Sequence, residues 1–550
     1  MVWRGNSAAA AVVVAAVTLT MVAGCGSGDD TDVAGIVGSF AGAIENQDVE
    51  AASGLTTAPA PAAESLGATF AGMGAEKVET TVNKPVEYSD GTASFTMKTT
   101  WEWPGQGSFE TSTSGTAREL SSGWKVQWEP GLIYQNMPAG SRLQKVRTDA
   151  TPAPTVESRT GKTFMKMVPV NEITFDPKAA GRKSDAAIAS LADAIEPIAP
   201  LVTASVIRKK VDEADGRSVV AVTLRESDMK TLTSDPEKIT GVTVNRTGKL
   251  VMDDRRLSSP LESGLTNYWT AVRDATAGWQ VQLVTPGTRP KRLAGKQGPP
   301  AKDVATTVDQ NEQLVLGDTV VEVAQPATVM TFDASTGGIL AMARNDAADR
   351  RDVEAGAAYA TGSTLDPVFE AVDRTTNDDS GSANDMLYRF GLGVKFTAPG
   401  VSLPRTTAPT KPKVSSAGYT PNDYKSTMLN MGALGVALSR ASDGATDAVA
   451  PYLVKGATTK VTDGKLEHFK PEVAREILRS MATNAKTGDA SDLTGAPGLR
   501  ALVGTNGPQG PGWFVGLQGG KVIVIYCEGE KSGTAALQVA QKYFKVSNSR

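Results

Sequence analysis

The chain has 550 residues, 40% of them hydrophobic and 21% charged, with a formal net charge of −4. Such a length exceeds one hydrophobic core and predicts about two to four domains, and the composition is that of a folded chain rather than a disordered one. Lys and Arg are spread rather than clustered, which excludes the basic footprint that nucleic acid requires.

Arg4 is followed by an apolar run from 8 to 23, broken only by two threonines, that ends in Val22-Ala23-Gly24-Cys25. The run falls short of the ~20 residues a membrane-spanning helix needs, so it predicts a signal segment. Its last four residues resemble a bacterial lipobox, which implies cleavage before Cys25 and lipid on that cysteine. The mature chain then keeps one other cysteine, Cys527, in the apolar run KVIVIYCEG, so no internal disulfide forms and packing must supply stability. GSGDDTD, residues 26 to 32, reads as a polar tether.

Past the tether, Ile36, Val37, Phe40 and Ile44 recur at helical spacing. A Pro- and Ala-rich stretch from 58 to 63 leads to strand-like runs: TASFTMKTTWEW, GSFETSTSG and GWKVQWEP. In the last, Trp124, Val126 and Trp128 alternate with polar residues, as a half-buried strand requires. One helix before a curved antiparallel sheet predicts a small α+β cone. From 141 to 300 the pattern is mixed. SDAAIASLADAIEPI predicts a helix capped by Ser184, SVVAVTL a strand, and TPGTRPKRLAGKQGPP, residues 285 to 300, a boundary. From 301 the chain reads as α/β: PATVMTFDASTGGILAMAR predicts a hairpin turning at Ser335 to Gly338, helices are expected near 424 to 441 and 471 to 483, and the end reads strand, strand, helix. The one histidine, His468, lies in the polar stretch GKLEHFKPE, which rules out a histidine-based triad unless it is the base, and most imidazole metal sites.

In this order, WKVQWEPGLIY, ESRTG at 157 to 161, LRESD at 224 to 228, ESGLTNYWTAVRDATAGWQV at 262 to 281, TTVDQNEQ at 306 to 313 and DASTGGILAMAR resemble landmarks of a penicillin-binding protein, the class B lipoprotein type with an NTF2-like first domain. The resemblance implies a multidomain α+β chain. Residues 33–140 would form the NTF2-like cone, 141–300 the pedestal or dimerisation domain, and 301–550 the serine-acyltransferase domain of penicillin-binding and β-lactamase-like proteins. It also implies residence on the outer face of the cell membrane through lipid on Cys25, partners among peptidoglycan or cell-wall synthesis proteins, and no metal or cofactor.

In that family a serine in SxxK attacks a D-Ala carbonyl, the lysine takes its proton, an SxN motif shuttles protons, and a KTG strand holds the substrate carboxylate. AAYATGSTLDP matches the family's stretch around that serine, so Ser363 stands at the nucleophile and Asp366 replaces the lysine. A carboxylate, with an ordinary pKa of about 3.9, is a weak base at neutral pH and brings no positive charge to an alkoxide. Asp366-Pro367 also reads as an N-cap followed by N1, which predicts a helix from near 366 and leaves Ser363 the alternative of a turn residue. Ser382-Ala383-Asn384 has the letters of the second motif but follows Ser363 by only 19 residues; in the competing reading the helices carrying SxN are shortened and Phe390-Gly391-Leu392-Gly393 is a later segment. A literal Lys486-Thr487-Gly488 lies among small polar residues after a helix. By distance to Trp513 the third motif is Leu502-Val503-Gly504-Thr505, with leucine in place of lysine.

Three departures point to a retained scaffold that is catalytically deficient, binds β-lactams weakly at best, and works as a binding or scaffold partner. An active D,D-transpeptidase or carboxypeptidase would need another base, such as Lys395 or Lys425. A third reading is a lipoprotein that holds a ligand or muropeptide in its cone or cleft.

Overall fold

The computed structural model describes residues 32–351, 353–376, 380–402, 414–415, 418–419, 424–505 and 510–549. The expected leader, Cys25 and all of the tether but Asp32 lie outside these residues. Among them, no helix is long and apolar enough to cross a membrane. The chain divides into two compact units, residues up to Thr148 with Gly278–Gly298, and Asp149–Ala277 with Pro299 onwards.

In the first unit, helix Val33–Glu45 starts on the Asp32 carboxylate, which accepts from the amides of Ala34 and Gly35. It buries Val37, Phe40 and Ile44, as their spacing predicts. The Pro/Ala-rich stretch opens a second long helix, Pro59–Met73, with Pro59 in the first turn, where a missing N–H costs nothing. These helices cover an antiparallel sheet in the order Lys77–Val82, Thr92–Trp103, Gly107–Leu120, Gly123–Val126. Along Thr92–Trp103, Ala93, Phe95, Met97, Thr99, Trp101 and Trp103 are buried in alternation, so one face carries the core. Gly115 lies opposite Phe95, and a Cβ there would come within 2.5 Å of that ring and 2.4 Å of Leu132, so any larger residue would push these two side chains aside. The last strand stops at Val126, earlier than the alternation through Trp128 predicts.

Lys291–Lys296, Gly278–Val284 and Arg142–Thr148 form a separate three-stranded sheet counted with the first unit. Two differences from expectation follow. These strands come from the segment 141–300 yet belong to the cone's unit, tied there by a tilted contact of Trp279 with Trp103, ring centroids 5.6 Å apart. And 285–300 holds a strand: Lys291–Lys296 pairs with Gly278–Val284 with a bulge at Leu293, and Gly295, at φ +113, admits the close approach of Trp279 O, which would lie 2.2 Å from a Cβ there.

The second unit begins with a sheet centred on Thr163–Phe175, which pairs with Val242–Met252, Val219–Arg225 and Val156–Glu157. Helices Ser184–Ile195 and Ala204–Glu213 pack with it through Ile188, Leu191, Ile195 and Ile207. Ser184 does not cap: a 3-10 turn, Gly181–Lys183, runs straight into the helix and makes it the first helical residue. Arg159, in the ESRTG loop, reaches Asp309 at 3.7 Å and Asp333 at 3.9 Å.

A five-stranded antiparallel sheet follows, ordered Ile339–Arg344, Ala327–Asp333, Lys521–Cys527, Gly512–Gln518, Arg500–Thr505. Its first two strands are the expected hairpin, whose turn is held by the Asp333 carboxylate accepting from Ser335 and Thr336. One face meets Gln310–Val320 and Ser532–Ser549; the other meets Met428–Ser442 and the helices beyond it. Gly432 and Gly435 let Met428–Ser442 come close, since a Cβ on them would lie 2.3 Å from Phe332 and Val522. That helix begins at Met428 behind its Thr427 cap, four residues later than expected, because Lys425–Ser426 is a strand.

Candidate functional site

Ser363 lies in the 3-10 turn Gly362–Leu365, which runs into helix Asp366–Thr376. Two anchors fix the approach. The Trp513 indole N–H donates to Ala360 O at 2.9 Å, and Thr361 donates through its amide and its hydroxyl to Tyr424 O at 3.0 and 3.2 Å. Tyr359–Ala360 also pairs with Lys425–Ser426. The turn then packs on the edge strand Arg500–Thr505 at a place only glycine allows: a Cβ on Gly504 would lie 2.2 Å from Thr364 N.

The helix starts at Asp366, where Asp-Pro predicts it, but not by capping. Asp366 has helical angles, φ −52 and ψ −45, whereas a cap is extended. Ser363 is thus one turn ahead of Asp366 on a continuous helical path, and its exposed hydroxyl is held by strand backbone. Ser363 Oγ donates to Thr505 O at 3.3 Å and accepts from Thr505 N at 3.2 Å. No other described group bonds to it.

Asp366 does not serve Ser363. Its Oδ1 is buried and without a hydrogen-bond partner among the described residues. Burial, and then the charge of Glu370, hold its carboxyl above the ordinary value. The Thr364 hydroxyl and Ser426 Oγ are likewise buried and without a partner among the described residues.

The remaining expected positions are not joined to Ser363 by hydrogen bonds. Ser382 and Asn384 lie on helix Ser380–Arg389, Ser382 exposed and Asn384 half-buried, its Oδ1 without a hydrogen-bond partner among the described residues. Phe390 to Gly393 form a buried turn after that helix: Phe390 stacks on Phe469 at 4.6 Å, and Asn430 Nδ2 donates to Gly391 O and Val394 O. Leu502 is 1% exposed and belongs to the hydrophobic core, and Val503 faces the opposite side of the sheet. Lys486-Thr487 closes helix Pro471–Thr487 rather than lying in a loop, with Lys486 exposed. Lys395 and Lys425 are exposed and make no described bond to Ser363, although Lys425 lies opposite Ala360 in the short ladder. No three His, Cys, Asp or Glu side chains gather to hold a metal among the described residues.

Sequence reasoning missed the Trp513 and Tyr424 anchors and the role of the Thr505 backbone. The indole could have been found, since a buried tryptophan N–H needs an acceptor; the backbone pairing leaves no trace in residue types. It also missed a buried carboxylate, Glu312, which pairs with Lys521 and accepts from the Tyr543 hydroxyl at 2.7 Å; burial first, and then the Glu312 charge and hydrogen bond, push the Tyr543 hydroxyl's pKa up. The TTVDQNEQ stretch contains that residue but says nothing of its partners.

Residues 34–141 match the family model of the NTF2-like N-terminal transpeptidase domain. The match falls in the three-helix, antiparallel-sheet part of the first unit and agrees with the cone expected there. No curated protein matches the chain. The first domain is therefore similar to the leading domain of transpeptidases of the penicillin-binding type, which points towards cell-wall synthesis.

Proposed function

We propose that the chain is a penicillin-binding-protein-like lipoprotein of the cell envelope, held to the outer face of the membrane by lipid on Cys25, catalytically deficient, and acting in peptidoglycan synthesis as a binding or scaffold partner. In this reading 141–300 and 301–550 are the pedestal and the transpeptidase-like domain. The family match at 34–141 supports the setting. One observation carries the deficiency: among the described residues the Ser363 hydroxyl is bonded only to the Thr505 backbone, with a carboxylate rather than an ammonium one turn away. An alkoxide formed there would have no hydrogen bond from a described cation, and removing the base of such a pair costs orders of magnitude in rate. In this reading leucine, buried in the core, stands at 502 in place of the cation that would hold a substrate carboxylate.

Incubation with a fluorescent penicillin tests this reading. The expected result is labelling far below one per chain and unchanged by Ser363→Ala; stoichiometric labelling lost in that variant would overturn it. That second outcome would favour an acyl-transferase using Lys425, which lies on the strand beside the Ser363 turn. A ligand in the cone is less well supported. The void among Phe40, Leu66, Phe70, Thr99 and Trp101 measures about 10 Å³, room for one water molecule.

A further inference from the structure

The five-stranded sheet has two edges, and Ser363 occupies only one of them. The other edge is Ile339–Arg344, four strand spacings or roughly 19 Å across the sheet. Beside it an open groove of about 430 Å³ is lined by Arg344, by Ser259 and Pro260, and by Glu262, Ser263, Thr266 and Asn267 on the first turns of helix Glu262–Ala275. Every lining residue but the proline is polar. The volume lies within the range of small-molecule sites.

Its walls are fixed. Ser259 Oγ donates to Met342 O at 3.1 Å, and Gln313 Nε2 bridges Ser258 O and Met342 O, both at 2.7 Å, so the loop before the helix is tied to the strand. The Arg344 guanidinium is oriented by Asp349 at Nε and by Val353 O, 3.1 Å from Nη1, which leaves Nη2 without a described partner. On the facing helix, Glu262 and Thr266 are four residues apart and share a face. The side chains of Glu262, Thr266 and Asn267 make no hydrogen bond to a described residue, in contrast to Ser259 and to Ser263, which pairs with Ser402 Oγ at 2.7 Å.

The groove thus presents one oriented cation, one uncommitted anion, and a hydroxyl and an amide free to bond. We propose that it binds a small zwitterion of dipeptide size, with the carboxylate on Arg344, the ammonium on Glu262, and the peptide unit bonded by Thr266 and Asn267. A planar guanidinium already steered by two partners suits a carboxylate. A lone cation beside an acid disfavours phosphorylated polyanions, and the paired opposite charges favour a zwitterion over a neutral sugar. This inference does not rest on the proposed function.

Titration calorimetry of the full chain with four probes tests it: alanyl-alanine, its N-acetyl form, its C-terminal amide, and N-acetylglucosamine. Alanyl-alanine is expected to bind best. Glu262→Gln should weaken it about tenfold and leave the N-acetyl form unchanged, whereas Arg344→Gln should weaken both forms about tenfold and spare the amide. Asn267→Ala, at an exposed position that risks little folding, should weaken all three dipeptides. Ser363→Ala should change none of them, which places binding away from the serine. Equal binding of the sugar, indifference to Glu262→Gln, or no saturation up to about 10 mM would each overturn the proposal.

Discussion

The sheet of the first unit and the five-stranded sheet of the second are both antiparallel, yet they stabilise themselves differently. In the first, buried and exposed residues alternate along Thr92–Trp103, because helices cover one face and water the other. In the second, Ala327–Phe332 and Val522–Cys527 are buried without a break, because helices cover both faces. The first sheet therefore depends on a few large inward side chains, and the second on close approach of helix to strand. A change in side-chain size has opposite dangers in the two: loss of volume harms the first, and added volume harms the second.

The strongest way to break this contrast is Trp101→Ala. It should cost about 3–5 kcal/mol and, in hydrogen exchange read by mass spectrometry, expose the amides of Thr92–Trp103 and Gly107–Leu120 while Ala327–Asp333 and Lys521–Cys527 keep their protection. Loss of protection in both sheets would mean that the two units do not hold their structure separately. Next comes Gly432→Val, whose Cβ would enter the Phe332 ring; the expected loss is about 1–3 kcal/mol in urea denaturation. Gly38→Ala sharpens the contrast from the other side. Nothing lies within 4 Å of a Cβ added there, so the helix should gain about 0.5–1 kcal/mol.

The smallest effect is expected at Asp366. Its carboxyl is held above the ordinary value by burial and by Glu370, so the folded state takes up a proton more readily than the unfolded chain. Its contribution is therefore full below the unfolded pKa and fades as pH rises through the folded one. Asp366→Asn should melt above the parent protein at neutral pH, with the gain shrinking towards the ordinary carboxyl pKa, as thermal melts at several pH values would show.

Legibility in the sequence followed the same divide. The strand-like run TASFTMKTTWEW coincides residue for residue with Thr92–Trp103, and the apolar runs placed the hairpin and the two final strands. The misplacements arose where tertiary contacts override local signals. Ser184 and Asp366 look like caps, but each follows a 3-10 turn that already supplies the helix with its first residues. The Pro/Gly-rich 285–300 looks like a linker, but it holds a strand bulged at Leu293 that stays with Trp279, whose O would lie 2.2 Å from a Cβ on Gly295. At the candidate site, sequence named Ser363, Asp366 and the stretch Leu502-Val503-Gly504-Thr505. It could not reveal that Ser363 rests on a peptide unit 142 residues away, because such a bond carries no side-chain signature.

The two bonds between Ser363 and Thr505 also link two events that would otherwise be separate. An extended guest laid along Arg500–Thr505 as a sixth strand needs the same N–H and C=O that the hydroxyl now occupies. Seating that guest and liberating the serine are consequently a single exchange, which makes this oxygen a built-in reporter of whether the sheet margin is taken.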